Sequence, residues 1–323
     1  MEADDDHYGS VVEKLASGRL IPFLGAGANL CDRGDVAWEQ GNPFLPSGSE
    51  LASFLARRGR YPEPDDADLL RVSQFVDNAR GQDELYLYLH EVFDSTVEAT
   101  SLHRFLARVA RLLGEAGRPQ LLAVTTNYDD LMESALAEEG LEFDVVWYEA
   151  KQNSVDHRRF LHRPPGKPPV VVARPNKYTG LPVDRLERPA VLKLHGCLDR
   201  ENATGDSYVI TEDSYIDYLS GGDVGQLIPI ALWQRMITDS FLFLGYSLAD
   251  WNMRVILNRI WGARKLVSKS WAVLLEPADP NESKIEQMLW ESRENVDLVF
   301  CRLSTYTEEL DSRVSAAAPA SPA

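Results

Sequence analysis

Short apolar runs alternate along most of this chain with longer stretches whose apolar residues recur every three or four positions. The first run, Leu-Ile-Pro-Phe-Leu at 20–24, stops at Gly25-Ala26-Gly27. An apolar run of that length bounded by glycines reads as a fully buried strand. Further strands are predicted at 121–126, 143–147, 169–173, 190–195, 207–211, 241–245, 271–275 and 298–303. Helical spacing marks 8–17, 66–78, 82–97, 102–115, 248–261 and 281–293, a segment running through Leu136, and 224–239 with Pro229 inside it. Ser47-Gly48-Ser49-Glu50 has the form of a capping box ahead of Leu51, Phe54 and Leu55, so a helix is expected to start there.

Strands that alternate with helices, several of them apolar on both faces, are the pattern of a parallel sheet covered on both sides. Between the first strand and the second lies a helical insertion at about 47–118. Residues 33–46, rich in glycine and proline, are expected to form a flexible loop beside the first glycine turn. Residues 150–169 carry His157, Arg158, Arg159, His162 and Arg163 ahead of two proline pairs, and read as an exposed loop with a solvated basic face. One domain at 8–313 and a disordered tail at 314–323, ending in alanine, serine and proline, complete the organisation.

Composition narrows the class. The 323 residues are 44% hydrophobic and 26% charged, which matches a soluble globular protein with a sizeable core. No run approaches the roughly 18 apolar residues of a membrane span, and the acidic start, Met-Glu-Ala-Asp-Asp-Asp, is unlike a secretory signal. A cytoplasmic protein is expected. Cys31, Cys197 and Cys301 are far apart and never in a Cys-x-x-Cys pair, which argues against a disulfide framework or a zinc module. The net charge of −17 disfavours non-specific nucleic-acid or anionic-membrane binding, which needs a basic footprint. A local phosphate site built from backbone N–H groups remains compatible with it.

In parallel sheets, ligands bind beyond the carboxyl ends of the strands, near the switch in strand order. Four strand ends here carry small or polar groups: Gly25-Ala26-Gly27-Ala28-Asn29, Thr126-Asn127-Tyr128-Asp129, His195-Gly196 and Gly245-Tyr246-Ser247-Leu248-Ala249-Asp250. The first suits a strand, a glycine turn and a helix N-terminus holding a pyrophosphate. The third glycine of the usual fingerprint is absent, Leu30 standing in its place. Each end also has a plain structural reading. The glycines can form a turn with no ligand, and His195 can be a hydrogen-bonded histidine at a strand end. Asn127 can cap the next helix with Asp130, and Ser247 with Asp250 fits a capping box. Lys193 is placed on the face of the strand opposite His195 and is not recruited to the site.

The series Gly-Ala-Gly-x-Asn, Thr-x-Asn-x-Asp, Leu-x-Leu-His-Gly and Gly-x-Ser, in this order, resembles the sirtuin NAD-binding fold over nearly the whole chain. The segment Phe-Leu-Phe-Leu-Gly-Tyr-Ser-Leu-Ala-Asp-Trp-Asn at 241–252 is more similar to the bacterial sirtuin-like branch found in anti-phage defence proteins, whose members are NAD hydrolases. The resemblance implies a Rossmann-like sheet. His195 would match the general base, Asn127 the residue that positions the ribose and water, and Asp129 the acid at the nicotinamide end. Gly25, Ala26, Gly27, Ala28 and Asn29 would form the phosphate turn, with Thr126, Gly245, Ser247 and Asp250 completing NAD binding. Sirtuin deacylases carry a zinc module and a Gly-Ile-Pro-Asp-Phe-Arg segment; neither is present.

The expectation is therefore an NAD glycohydrolase that gives nicotinamide and ADP-ribose, needs no metal and acts as the toxic effector of a defence system. A protein deacylase and a non-enzymatic NAD or ADP-ribose binding module are the alternatives. The resemblance also implies a homo-oligomer and a partner such as an ATPase or an Argonaute-like protein.

Overall fold

The computed structural model describes residues 5–63, 68–150, 158–183, 185–220, 226–246, 268–275 and 295–317. In chain order its elements are α1 (Asp5–Ala16), β1 (Leu20–Leu24), α2 (Gly48–Gly59), α3 (Leu69–Arg80), α4 (Gln82–Phe93), α5 (Ser101–Glu115), β2 (Leu122–Thr125), α6 (Leu131–Glu138) and β3 (Asp144–Glu149). There follow β4 (Arg159–Arg163), β5 (Val170–Val171), β6 (Ala190–Lys193), β7 (Gly196–Cys197), β8 (Ser207–Tyr208), α7 (Glu212–Ser220), α8 (Ile230–Thr238), β9 (Ser240–Leu244), β10 (Ser270–Leu274), β11 (Val296–Phe300) and α9 (Leu303–Ala317). The predicted helices at 248–261 and 281–293 lie outside the described residues, as do Ser247 and Asp250.

Nine strands form one sheet in the order β11-β10-β9-β1-β2-β6-β3-β4-β5, all running the same way except β4, which is antiparallel to both β3 and β5. The α/β, Rossmann-like class expected from the sequence is the one observed. Every residue of β1, β2, β6, β9 and β10 is buried, which is why these segments read as apolar runs, with polar residues only at their ends. Pro22 is tolerated in the central strand for a specific reason. Gly25 N donates to Leu244 O of β9, so by alternation position 22 faces β2, where the ladder begins only at Phe23.

One face of the sheet, with Phe23, Val124, Leu192 and Phe243, packs on Tyr218 of α7 and Leu232 of α8. The other, with Leu24, Ala123, Val191 and Leu244, packs on α1, α5, α6 and α9. Helices α2–α4 enclose a core of their own that also takes in Leu198 and Tyr208.

Several boundaries differ from the expectation. Pro229 does not sit inside a helix: it is the N-cap of α8, where its missing N–H is harmless. The helix α9 takes in residues 314–317, which the sequence placed in the tail. The basic segment is not a solvated loop throughout, since Arg159–Arg163 is a strand with alternating burial. Phe160 and His162 point inward, and His162 is fully buried between Asp144 (2.9 Å) and Tyr178 (2.7 Å). Its period of two was hidden because arginines stand at both ends and the outward position between Phe160 and His162 is Leu161. The loop 33–46 is tied down as well. The capping-box residue Glu50 accepts from Trp38 N at 2.7 Å and pairs with Arg33, whose guanidinium lies over the Phe44 ring.

Candidate functional site

The four strand ends belong to β9, β1, β2 and β6, four consecutive strands of the sheet. From β1 the chain moves to β2 on one side and later returns to β9 on the other, so the reversal of strand order falls beside the glycine turn. The described parts of these ends, which for β9 are Gly245 and Tyr246, therefore lie at the same end of the sheet.

The glycine turn is built differently from the expected strand–turn–helix. After Leu24 the chain makes a five-residue 3-10 helix, Ala26–Leu30, too short to present a helix dipole. Its N–H groups are largely engaged: Gly25 N donates to Leu244 O, Gly27 N to Gly245 O and Ala28 N to Gly25 O, each at 2.9 Å. Ala26 N–H has no acceptor among the described residues, and Ala26 is exposed. The glycines are needed for contact between turns. A Cβ on Gly27 would stand 2.8 Å from the Cα and O of Gly245, and one on Gly245, whose φ is +77°, would stand 2.2 Å from Ala28 N.

Beside this turn runs a side-chain network. Asn127 Nδ2 donates to Gly25 O at 3.0 Å and to Asn29 Oδ1 at 3.3 Å. Asn29 Nδ2 donates to Asp129 Oδ2 at 2.7 Å, and Asp129 Oδ1 accepts from Leu131 N at 3.1 Å. Asn127 is thus turned back toward the glycine turn and does not cap α6, whose N-cap is Asp130. Its amide oxygen has no partner among the described residues, and the side chain is half-buried. Asp129 is buried and holds Asn29 and the start of α6, an anchoring position within the network. Thr126 Oγ1 lies 3.0 Å from Tyr246 OH, which donates to Leu24 O at 2.9 Å. Farther out, Thr100 Oγ1 donates to Ala28 O at 3.2 Å and lies 2.8 Å from Nδ1 of the buried His103. Burial lowers His103 to about 4.

Thr125 and Lys193 are partners in the β2–β6 ladder, so Asn127 and His195 stand at equivalent places beyond neighbouring strands. Strands in a ladder lie about 4.8 Å apart. His195 is only 4% exposed, with its ring edge-on to Tyr215 and Tyr218 of α7. Nδ1 lies 3.3 Å from Tyr215 OH, and Nε2 is buried with no partner among the described residues. Desolvation pushes its pKa down to about 3, so the imidazole is neutral. Gly196, at φ +106°, lets the chain turn into the β7–β8 pair, where a Cβ would meet Ser207 O at 1.8 Å.

Lys193 and His195 do fall on opposite sides of the sheet. Alternation alone would put residues two apart on one side; the end of β6 at Lys193 separates them. The tyrosines around His195 were missed because α7 was not recognised. Its signal was present in Thr211-Glu-Asp-Ser, where Thr211 Oγ1 accepts from Ser214 N at 3.0 Å, with tyrosines three apart behind it. Cys31 and Cys197 are buried free thiols, and burial raises the pKa of both. No group of three or more His, Cys, Asp or Glu side chains among the described residues could hold a metal ion.

A mostly parallel α/β sheet with polar strand ends beside the switch in strand order has the doubly wound architecture, in which ligands bind at that switch. The family model described as a SIR2-like domain matches residues 121–299, more than half of the 323 residues. The chain belongs to that family. It is 26% identical over 294 residues to the NAD(+) hydrolase ThsA of Enterococcus faecium, which covers 90% of this chain and 50% of that protein. It is 23% identical over 262 residues to Defense-associated sirtuin 2 of Bacillus subtilis, covering 81% of this chain and 21% of that protein. The ThsA of Bacillus cereus (strain MSX-D12) is 24% identical over 273 residues, 82% of this chain and 44% of that protein. The chain thus spans half or less of each of these relatives. Among the described residues, no helix is long and apolar enough to cross a membrane.

Proposed function

We propose that this chain is an NAD hydrolase module that cleaves the bond between nicotinamide and ribose to give nicotinamide and ADP-ribose. The observation that carries the reading is the convergence of four polar strand ends on adjacent strands, with Asn127 and His195 at equivalent positions beyond two of them. The names of the relatives, NAD(+) hydrolase and defense-associated sirtuin, support it. A role in anti-phage defence, a cytoplasmic location, a homo-oligomer and a partner ATPase or Argonaute-like protein belong to the same proposal.

The reaction breaks a C–N bond to a pyridinium, a good leaving group, through an oxocarbenium-like transition state. The glycine turn and Asn29 would line the pyrophosphate and ribose, with Ala26 N–H as the free backbone donor. The open amide oxygen of Asn127 would accept from the attacking water or a ribose hydroxyl. His195 would take the proton through Nε2 once Tyr215 accepts from Nδ1–H and fixes the tautomer. Desolvation makes charging the buried His195 unfavourable relative to a free imidazole. The transfer therefore needs the negative pyrophosphate nearby or a shift of the tyrosine wall. Asp129 acts by holding Asn29, not as a free acid.

Incubation of the purified protein with NAD, reading nicotinamide release before and after concentration-driven assembly, tests the proposal. His195→Ala and Asn127→Ala should each abolish release while retaining the wild-type circular dichroism. Wild-type turnover by either variant removes that residue from the mechanism. The burial of His195 favours one second reading, a module that binds NAD or ADP-ribose without turnover. Tight binding with no nicotinamide released in any assembly state would establish it.

A further inference from the structure

Lys193 is fully buried, an uncommon place for an ammonium group. It ends β6, and its Nζ donates to Glu133 Oε1 of α6 at 2.9 Å and to the backbone carbonyl of Asp129. Replacing a buried pair of this kind with apolar side chains is often neutral or stabilising, so stability alone is a weak reason for it. What the pair does have is an address. The carbonyl it grips belongs to the residue whose carboxylate holds Asn29 at 2.7 Å, and Asn29 in turn accepts from Asn127 at 3.3 Å. A continuous set of hydrogen bonds thus runs from the end of β6, through the end of β2, to the glycine turn of β1. No ladder bond could do this, because β6 and β1 are not neighbours; β2 lies between them.

We infer that Lys193, neutralised by Glu133, is a positioning residue. Its ammonium fixes the main chain at Asp129 and so sets the orientation of Asn29 and Asn127. This rests on the NAD hydrolase reading for its kinetic consequence, but the geometric claim stands apart from it. Lys193 itself touches no space open to a substrate.

The test compares wild type with the double substitution Lys193→Met/Glu133→Leu, which leaves no unpaired buried charge, and with Glu133→Gln, which retains an acceptor for Nζ. The double variant should keep a cooperative melt, while kcat for nicotinamide release falls on the order of 10- to 100-fold, as expected for a displaced reacting group. Glu133→Gln, in which Lys193 can still grip the Asp129 carbonyl, should keep most of the wild-type kcat while lowering the melting temperature, because the buried ammonium loses its counter-charge. Hydrogen exchange over residues 126–131 should quicken in the double variant, with the interiors of β1 and β2 unchanged. Wild-type kcat together with unchanged exchange in the double variant overturns the inference. If the wild-type protein itself releases no nicotinamide, the functional reading fails and the exchange measurement alone decides the role of Lys193.

Discussion

The burial of His195 makes a measurable demand on stability against pH. In the folded chain the imidazole is pushed down to about 3 by desolvation, whereas in the unfolded chain it titrates near 6.5. The folded pKa lies below the unfolded one, so unfolding takes up a proton as the pH falls between them. The stabilisation is complete above about pH 6.5 and is lost progressively toward pH 3. At pH 5 the loss amounts to RT ln[(1 + 10^1.5)/(1 + 10^−2)], about 2 kcal/mol. The perturbation is His195→Gln, which removes the titrating group and keeps a polar side chain. Urea unfolding of both proteins at pH 7.5 and pH 5 should show the stability advantage of the wild type shrinking by about 2 kcal/mol at the lower pH. His103, also lowered by burial, to about 4, destabilises both proteins in the same range and cancels in the difference. Resonances of the six histidines provide a direct check, since His195 should remain neutral at pH 5. A gap that does not change with pH, or a His195 resonance titrating near 6.5, would mean that the ring stands open in the crevice and is not walled by Tyr215 and Tyr218.

Gly27→Ala forces a Cβ to within 2.8 Å of Gly245 Cα and O, backbone atoms that cannot swing away. It should cost about 2–4 kcal/mol and lower the melting temperature, whereas Gly48→Ala, with nothing within 4 Å, should not; equal melts refute the interlocked turns. Glu50 is held down to about 2, chiefly by Arg33. Glu50→Ala should cost about 1–3 kcal/mol and expose residues 33–46 to proteolysis, and intact resistance would show that the loop is anchored elsewhere.

The sheet was legible because its central strands are buried on both faces and punctuated by glycine, so length and composition sufficed. The candidate site was legible in part, for one general reason: a strand that ends in polar residues has somewhere to send them. Hidden features were those set by distant partners. Arg159–Arg163 looks like a solvated stretch until Glu149 pairs with Arg159 and Asp144 meets His162. Lys193 looks dispensable until Glu133, sixty residues away, neutralises it. His195 looks like a histidine of ordinary basicity until two tyrosines close over it. Each depends on a long-range neighbour that no local window contains.

The glycine pair shows why a motif and its physical role can part company. In the usual fingerprint the glycines let a phosphate approach a helix N-terminus. Here three glycines from two strand ends fill one another's missing Cβ space, and Gly25 and Gly27 spend their N–H groups on β9. The turn is then rigid but offers few donors, with Ala26 N–H exposed and no helix of useful length behind it. Under the proposed function, much of the work of orienting NAD falls to side chains, and those beside the turn among the described residues include Asn29 and Asn127, held by Asp129. The segment that matches the SIR2-like model begins at residue 121 and excludes β1. Yet β1 lies between β2 and β9, both inside the match, and carries the glycine turn. Cutting the chain at the start of the matched segment would therefore remove the middle strand of the site and leave β2 and β9 with facing unpaired edges.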